Sequence, residues 1–205
     1  MGRRLLLVDR HDRIVGTASR RACHEGRGRR HRAFLVMLYN RRGELLLARR
    51  HRRKWLWPGF WDGTVAGHVE QGETYAQAAH RRVFEEMGVR PRLREVDRFA
   101  YTARYRGDGE NEICAVFVGR VERVRPNPRE VDAWKFSARP SGRLTPWLRR
   151  ALRRQLRRRR SWRTSRRISA AVAASGQPSR RKRLENSFTR STVSSCVRAV
   201  PPWTT

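Results

Sequence analysis

GHVEQGETYAQAAHRRVFEEMGV, residues 67–89, decides the fold. It joins a glycine-containing loop to a helix that opens at Thr74. Apolar residues recur along it at helical spacing, with Ala76, Ala79, Val83, Phe84 and Met87 expected on one buried stripe, and Gly88 ends it. Glu73 stands just before the helix, and Arg81, Glu85 and Glu86 follow within about one and a half turns. Arg82 and Glu86 are four apart and share a face. Carboxylates gathered at a loop–helix junction suit a hard divalent cation such as magnesium, whose remaining positions are filled by substrate phosphates. A solvated surface pair is the bland alternative for Glu85 and Glu86 alone.

Outward from this stretch, short apolar runs bounded by turn residues predict strands. They are LLLVD (5–9), RIVGTAS (13–19), AFLVMLYN (33–40), ELLLARR (44–50), EVDRFAYTARY (95–105), EICAVFVGRVERV (112–124) and EVDAWKF (130–136), with TVAGHV (64–69) inside a long loop. ACHEGRGRRH (22–31) and RGDGEN (106–111) read as polar connections. TPWLRRALRRQLRRR (145–159) reads as an amphipathic helix with Trp147, Leu148, Leu152 and Leu156 on one side. The sum is an α/β domain over residues 1–160 with a mixed sheet, followed at 161–205 by an Arg/Ser-rich segment without the apolar pattern needed to bury a face, expected to be a disordered tail.

The chain of 205 residues carries a formal charge of +31. From Arg149 onward there are 17 basic residues against one acidic, so half of that charge lies in little more than a quarter of the chain. Nucleic acid is the obvious partner for such a balance. Only three of the 49 basic residues are lysine, however, and no basic motif with interleaved aromatics accompanies them. Non-specific contact through the tail is therefore the most that is expected from nucleic acid, and a small anionic substrate is the better reading. No run of about 18 apolar residues is present, so no membrane span is expected. Cys23, Cys114 and Cys196 match no zinc or disulfide spacing, which fits reduced thiols and a cytoplasmic location.

Gly67, Glu73, Arg81, Val83, Glu85, Glu86, Gly88 and Val89 together resemble the Nudix box, and the strand order resembles the Nudix α/β/α sandwich. Nudix hydrolases have a glutamate after the box arginine, whereas this chain has Arg82. RRACHEGRGRRHRAF, LLLARRHRRKWLWPGFWDGTVAGH, AAHRRVFEEMGV, FAYTARY, GENEICAVF and TPW extend the resemblance to the type I isopentenyl-diphosphate isomerases over nearly all of residues 5–150. That resemblance implies one metal site built from His24, His31, His68, Glu110 and Glu112. A nitrogen/oxygen set of this kind suits manganese, zinc or iron, with magnesium also compatible.

It further implies Glu86 as ligand of a diphosphate-bound magnesium. Arg20, Arg50, Lys54 and Arg82 would be diphosphate contacts, since arginine forks and lysine charges suit phosphate oxygens. Trp147 would cover the isoprenoid pocket. Glu112 and Tyr101, with Tyr105 as the other possible tyrosine, would form one side of an acid–base pair. The family's other proton carrier is a cysteine just before the glycine–histidine pair, and Ala66 stands there. Three readings stay open: an isomerase, a Nudix hydrolase that cleaves a diphosphate, and a non-catalytic basic protein that binds nucleic acid.

Overall fold

In the computed structural model residues 3–157 are described, all within the unit Met1–Ser161. The expected tail, 161–205, lies outside them.

One mixed nine-stranded sheet organises these residues. Its centre is β3 (His31–Tyr39), an almost unbroken apolar run buried on both faces, the pattern of a strand covered from two sides. β3 pairs in parallel with β8 (Asp108–Arg120) and antiparallel with β6 (Val65–His68). β1 (Arg4–Val8) and β4 (Leu45–Arg50) also run antiparallel to it. β2 (Ile14–Ser19), β5 (Trp61–Asp62), β7 (Arg94–Tyr105) and β9 (Val131–Ser137) complete the sheet through β1, β4, β8 and β4 respectively.

Side chains alternate along β3, so its two faces feed different cores. Phe34, Val36 and Leu38 pack with Ala78, Ala79, Val83 and Met87 of helix α2 (Tyr75–Met87). Leu35 and Met37 pack with Trp147, Leu148 and Ala151 of a helix over residues 146–157, α3. The sheet thus lies between two helices, the α/β/α arrangement expected from the sequence. α2 starts on a capping box, with Thr74 accepting from Gln77 N while Gln77 reaches back, and it ends on Gly88 at φ 67°.

Four details differ from the sequence reading. In α2 the buried stripe contains Tyr75 and Ala78, whereas Ala76 and Phe84 face outward. Tyr75 is half apolar and half polar, so its ring enters the core while its hydroxyl bonds Asp12, and Phe84 lies under the Arg90 guanidinium. Leu156 of α3 is exposed, while its neighbour Gln155 turns inward to Tyr39 and Met37 of β3. The segment 22–31 is not all loop: Ser19 caps a short helix α1 (Arg20–His24) through Ala22 N. The connection after β7 is only Arg106–Gly107, both with positive φ, which makes a two-residue hairpin turn. Residues 108–111, read as part of that connection, consequently join Glu112 in β8.

Gly28 holds the loop between α1 and β3 against β8. It sits at φ 71°, and a Cβ there would lie 2.8 Å from the Gly109 carbonyl oxygen. Gly28→Ala is expected to destabilise the domain by roughly 1–3 kcal/mol, from left-handed strain plus displaced backbone. Urea unfolding checks this, and an unchanged midpoint would show that the two segments separate freely.

Candidate active site

Four separate elements bring five side chains to one point. α1 supplies His24, the start of β3 supplies His31, and the end of β6 supplies His68. Glu110 and Glu112 are two apart on β8 and so share a face. The parallel register sets His31 directly beside Glu112, and the antiparallel register sets Ala33 beside His68. One ligand atom from each of the five lies within 4.8 Å of all the others.

The tautomers are set from behind. His24 Nδ1 donates to the Arg20 carbonyl at 2.6 Å, and His31 Nδ1 donates to the Arg29 carbonyl at 2.7 Å. Both Nε2 atoms then point inward as electron-pair donors, the arrangement that orients imidazoles as metal ligands. His24 Nε2 is 3.0 Å from Glu110 Oε2, and His31 Nε2 is 3.3 Å from Glu112 Oε1. Despite those distances, His31 Nε2 and Glu110 Oε2 are buried without a directed hydrogen bond. His24 Nε2 and His68 Nε2 face each other at 3.1 Å. Inward-facing nitrogen and oxygen atoms that satisfy one another poorly fit a divalent cation at their centre.

Burial presses the His24 pKa down, but the bond and charge of Glu110 outweigh it and hold it raised. Burial and the neighbouring His31 and His24 push His68 well below its ordinary value, so it is a neutral ring. Glu112 is pushed up by burial and pulled down further by His31 and Tyr101, leaving it lowered. Tyr101 donates its hydroxyl proton to Glu112 Oε2. Burial, with the Glu112 charge adding to it, raises the Tyr101 pKa well above 10, so it remains a donor. Of the two tyrosines it is Tyr101 that reaches Glu112, whereas Tyr105 packs on Trp57 and Phe60.

A cavity of about 160 Å³ opens beside this cluster. Glu110, Glu112, His68 and Tyr101 line it together with the cations Arg20, Arg50, Lys54 and Arg82. Leu56, Ala66 and Trp147 supply apolar wall. The volume is below the roughly 300 Å³ at which pockets for drug-sized ligands begin, so the site suits a small molecule. Burial lowers the Arg20 pKa, and the Arg50 charge lowers it further. Cations crowded in this way are relieved by an anionic ligand.

Glu86 lies apart from the five-residue cluster. It is buried, bonded to Arg82, and raised by burial against the pull of Arg82. Two acids were not anticipated from the sequence. Glu130 binds both Lys54 and Arg82, the latter at 3.4 Å, in the middle of the cationic wall. Asp62 accepts from Trp147 Nε1 at 2.7 Å and Thr145 Oγ1 at 3.0 Å, and meets Arg50 at 3.4 Å. It therefore orients two of the residues that were anticipated. Nothing local marks Asp62 as buried, and its partners Thr145 and Trp147 are more than 80 positions away. Of the other thiols, Cys114 lines the cavity on the same strand and face as Glu112, and Cys23 is buried in a separate small cluster with Leu5 and Ala18.

This fold and site define a class. Residues 29–155 match the NUDIX domain model, and the chain belongs to that family. Within the family, its relatives are isopentenyl-diphosphate Delta-isomerases. The one from Haloarcula marismortui is 42% identical over 135 residues, covering 62% of this chain and 72% of that protein. The one from Halorhodospira halophila is 37% identical over 161 residues, covering 72% and 92%. Among solved structures, DR0079 from Deinococcus radiodurans aligns with a TM-score of 0.55 at 26% identity, over 65% of this chain and 82% of that one. A MutT protein from Methanosarcina mazei aligns with a TM-score of 0.55 at 21% identity over 63% and 95%, a likeness of fold alone. Among the described residues no helix is long and apolar enough to cross a membrane.

Proposed function

We propose that this chain interconverts isopentenyl and dimethylallyl diphosphate by metal-assisted proton transfer. The observation that carries the reading is the buried Glu112 carboxylate. It is shared by Tyr101, His31 and His68 in a cavity also lined by Arg20, Arg50, Lys54 and Arg82. The identity of the relatives points the same way.

His24, His31, His68, Glu110 and Glu112 would hold a manganese or zinc ion, and Glu86 would serve a magnesium ion that travels with the diphosphate. When bound, the ion at the histidines tunes the acidity of the Glu112 carboxyl. Arg20, Arg50, Lys54 and Arg82 bind the diphosphate, displacing the Glu130 carboxylate from Lys54 and Arg82. Trp147, fixed by Asp62, packs on the five-carbon chain and excludes water. In its protonated form Glu112 delivers a proton to the terminal alkene carbon, and Tyr101 steadies the carboxylate left behind. A base on the opposite face then removes a proton from the neighbouring methylene. Arg82 also argues against a hydrolase: a guanidinium engaged with Glu85 and Glu86 can neither bind a metal nor activate water.

Incubation with isopentenyl diphosphate, magnesium and manganese, beside parallel incubations with nucleoside diphosphate compounds, tests the reading. Isomer should form without phosphate release. Phosphate or monophosphate release without isomer would replace it by the hydrolase reading.

Manganese binding should also release protons. The His24 pKa is raised, so a proton competes with the metal for that ring, and affinity must climb as pH rises through it. Calorimetric titration of chelator-treated protein at two pH values checks the sign. Affinity independent of pH would place the ion elsewhere.

A further inference from the structure

Ala66 borders two spaces. It lines the main cavity, and it also lines a side cavity of about 20 Å³ walled by Asp62, Thr64, Glu86 and Glu130. Arg50, Lys54 and Glu130 border both as well, so the two cavities are neighbours that share this wall, with Ala66 its smallest side chain. The side cavity is polar and has room for one water, which needs roughly 10–15 Å³ and at least two polar partners.

Its acceptors are not equivalent. Thr64 Oγ1 donates to the Leu46 carbonyl at 2.9 Å and accepts from Leu38 N at 2.8 Å. Glu86 is engaged by Arg82, and Glu130 by Lys54 and Arg82. On Asp62, Oδ1 takes three donors: Gly63 N at 2.8 Å, Thr145 Oγ1 at 3.0 Å and Trp147 Nε1 at 2.7 Å. Asp62 Oδ2 is met by Arg50 Nη1 at 3.4 Å, a long contact that leaves it able to accept from a water. Burial raises the Asp62 pKa against the pull of Arg50, which makes the carboxylate a stronger base.

We infer that a water in the side cavity, backed by Asp62, moves the proton on the face where Ala66 leaves no side-chain carrier. The inference rests on the isomerase reading above. Glu112 gives a proton to the terminal alkene carbon, and positive charge develops on the tertiary carbon. The water takes a proton from the adjacent methylene, whose C–H electron pair becomes the new double bond. The water's own proton passes to Asp62 Oδ2. After product leaves, Asp62 loses that proton to solvent and Glu112 regains one. Asp62 touches no substrate atom, so it is a positioning and relay residue.

The test measures turnover of isopentenyl diphosphate by four metal-loaded proteins: the parent chain, Asp62→Asn, Ala66→Cys, and the double variant. With Ala66 in place, Asp62→Asn should cost at least roughly 10²-fold, the usual scale of a lost general base. With a thiol at position 66, the same change should cost only a few-fold, roughly. Equal losses in both backgrounds would overturn the relay, since Asp62 would then serve only to hold Trp147 and Arg50. A parent without turnover beside an active Ala66→Cys would sink the relay and leave the isomerase site standing. Phosphate release without isomer in all four would sink the isomerase reading itself.

A second measurement needs no Asp62 variant. Parent turnover should fall as pH drops through the raised Asp62 pKa, because the base must start ionised. Arg50, Lys54, Glu86 and Glu130 border the same space in both proteins, so Ala66→Cys should exchange the Asp62 inflection for that of its own thiol, at higher pH. Identical acid limbs in the two proteins would overturn the relay.

Discussion

Glutamine at position 112 should abolish isomerisation while leaving the domain folded. The change keeps shape and keeps an acceptor for Tyr101, but it removes the acid and the negative charge. Loss of a positioned proton donor costs roughly 10²–10⁴-fold. Here the upper part of that range is expected, because the same carboxylate faces both His31 and His68, at 3.3 Å and 3.1 Å. Two defects should therefore appear together: a collapse of kcat, and weaker metal binding by calorimetry. Tyr101→Phe should show only the first, and more mildly, since Tyr101 donates to Glu112 without facing the imidazoles. Wild-type turnover in Glu112→Gln would remove the residue from the chemistry.

Ala66→Cys should move activity the other way. Ala66 borders the main cavity with Tyr101, Glu112 and Trp147, so the remaining walls are already built around the missing side chain. A thiol there supplies a proton carrier attached to the protein, in place of one that must be recruited. The expected gain in kcat is roughly 10²-fold, with KM little changed because the diphosphate contacts are untouched. Stopped-assay kinetics on the two proteins read this directly. No gain would mean that the geometry around Ala66 is not that of the isomerases.

Much of this site could be read in the sequence, for a physical reason. Spacing fixes faces: Glu110 and Glu112 had to share one side of a strand, and Arg82 had to stand next to Glu86 on a helix. The resemblance to the isomerases then linked the three histidines to those acids across the chain. What stayed hidden was set by long-range packing. Glu130 reaches Lys54 across 76 positions, and no local pattern marks it. Asp62 sits in a two-residue strand too short to have a period. The α1 helix is five residues long, so its cap rather than its hydrophobicity makes it. Phe84 and Leu156 counted as core because apolarity was read as burial. One lies beneath an arginine, and the other is exposed beside Gln155, which makes the contacts to β3 at that turn.

The central claim is that protons move and the phosphate chain stays whole. The direct measurement is NMR of isopentenyl diphosphate turned over in D2O by the metal-loaded protein. The account predicts dimethylallyl diphosphate with solvent deuterium in the newly formed methyl group and no inorganic phosphate. Phosphate released from an unchanged carbon skeleton, or isomer formed without deuterium, would contradict it.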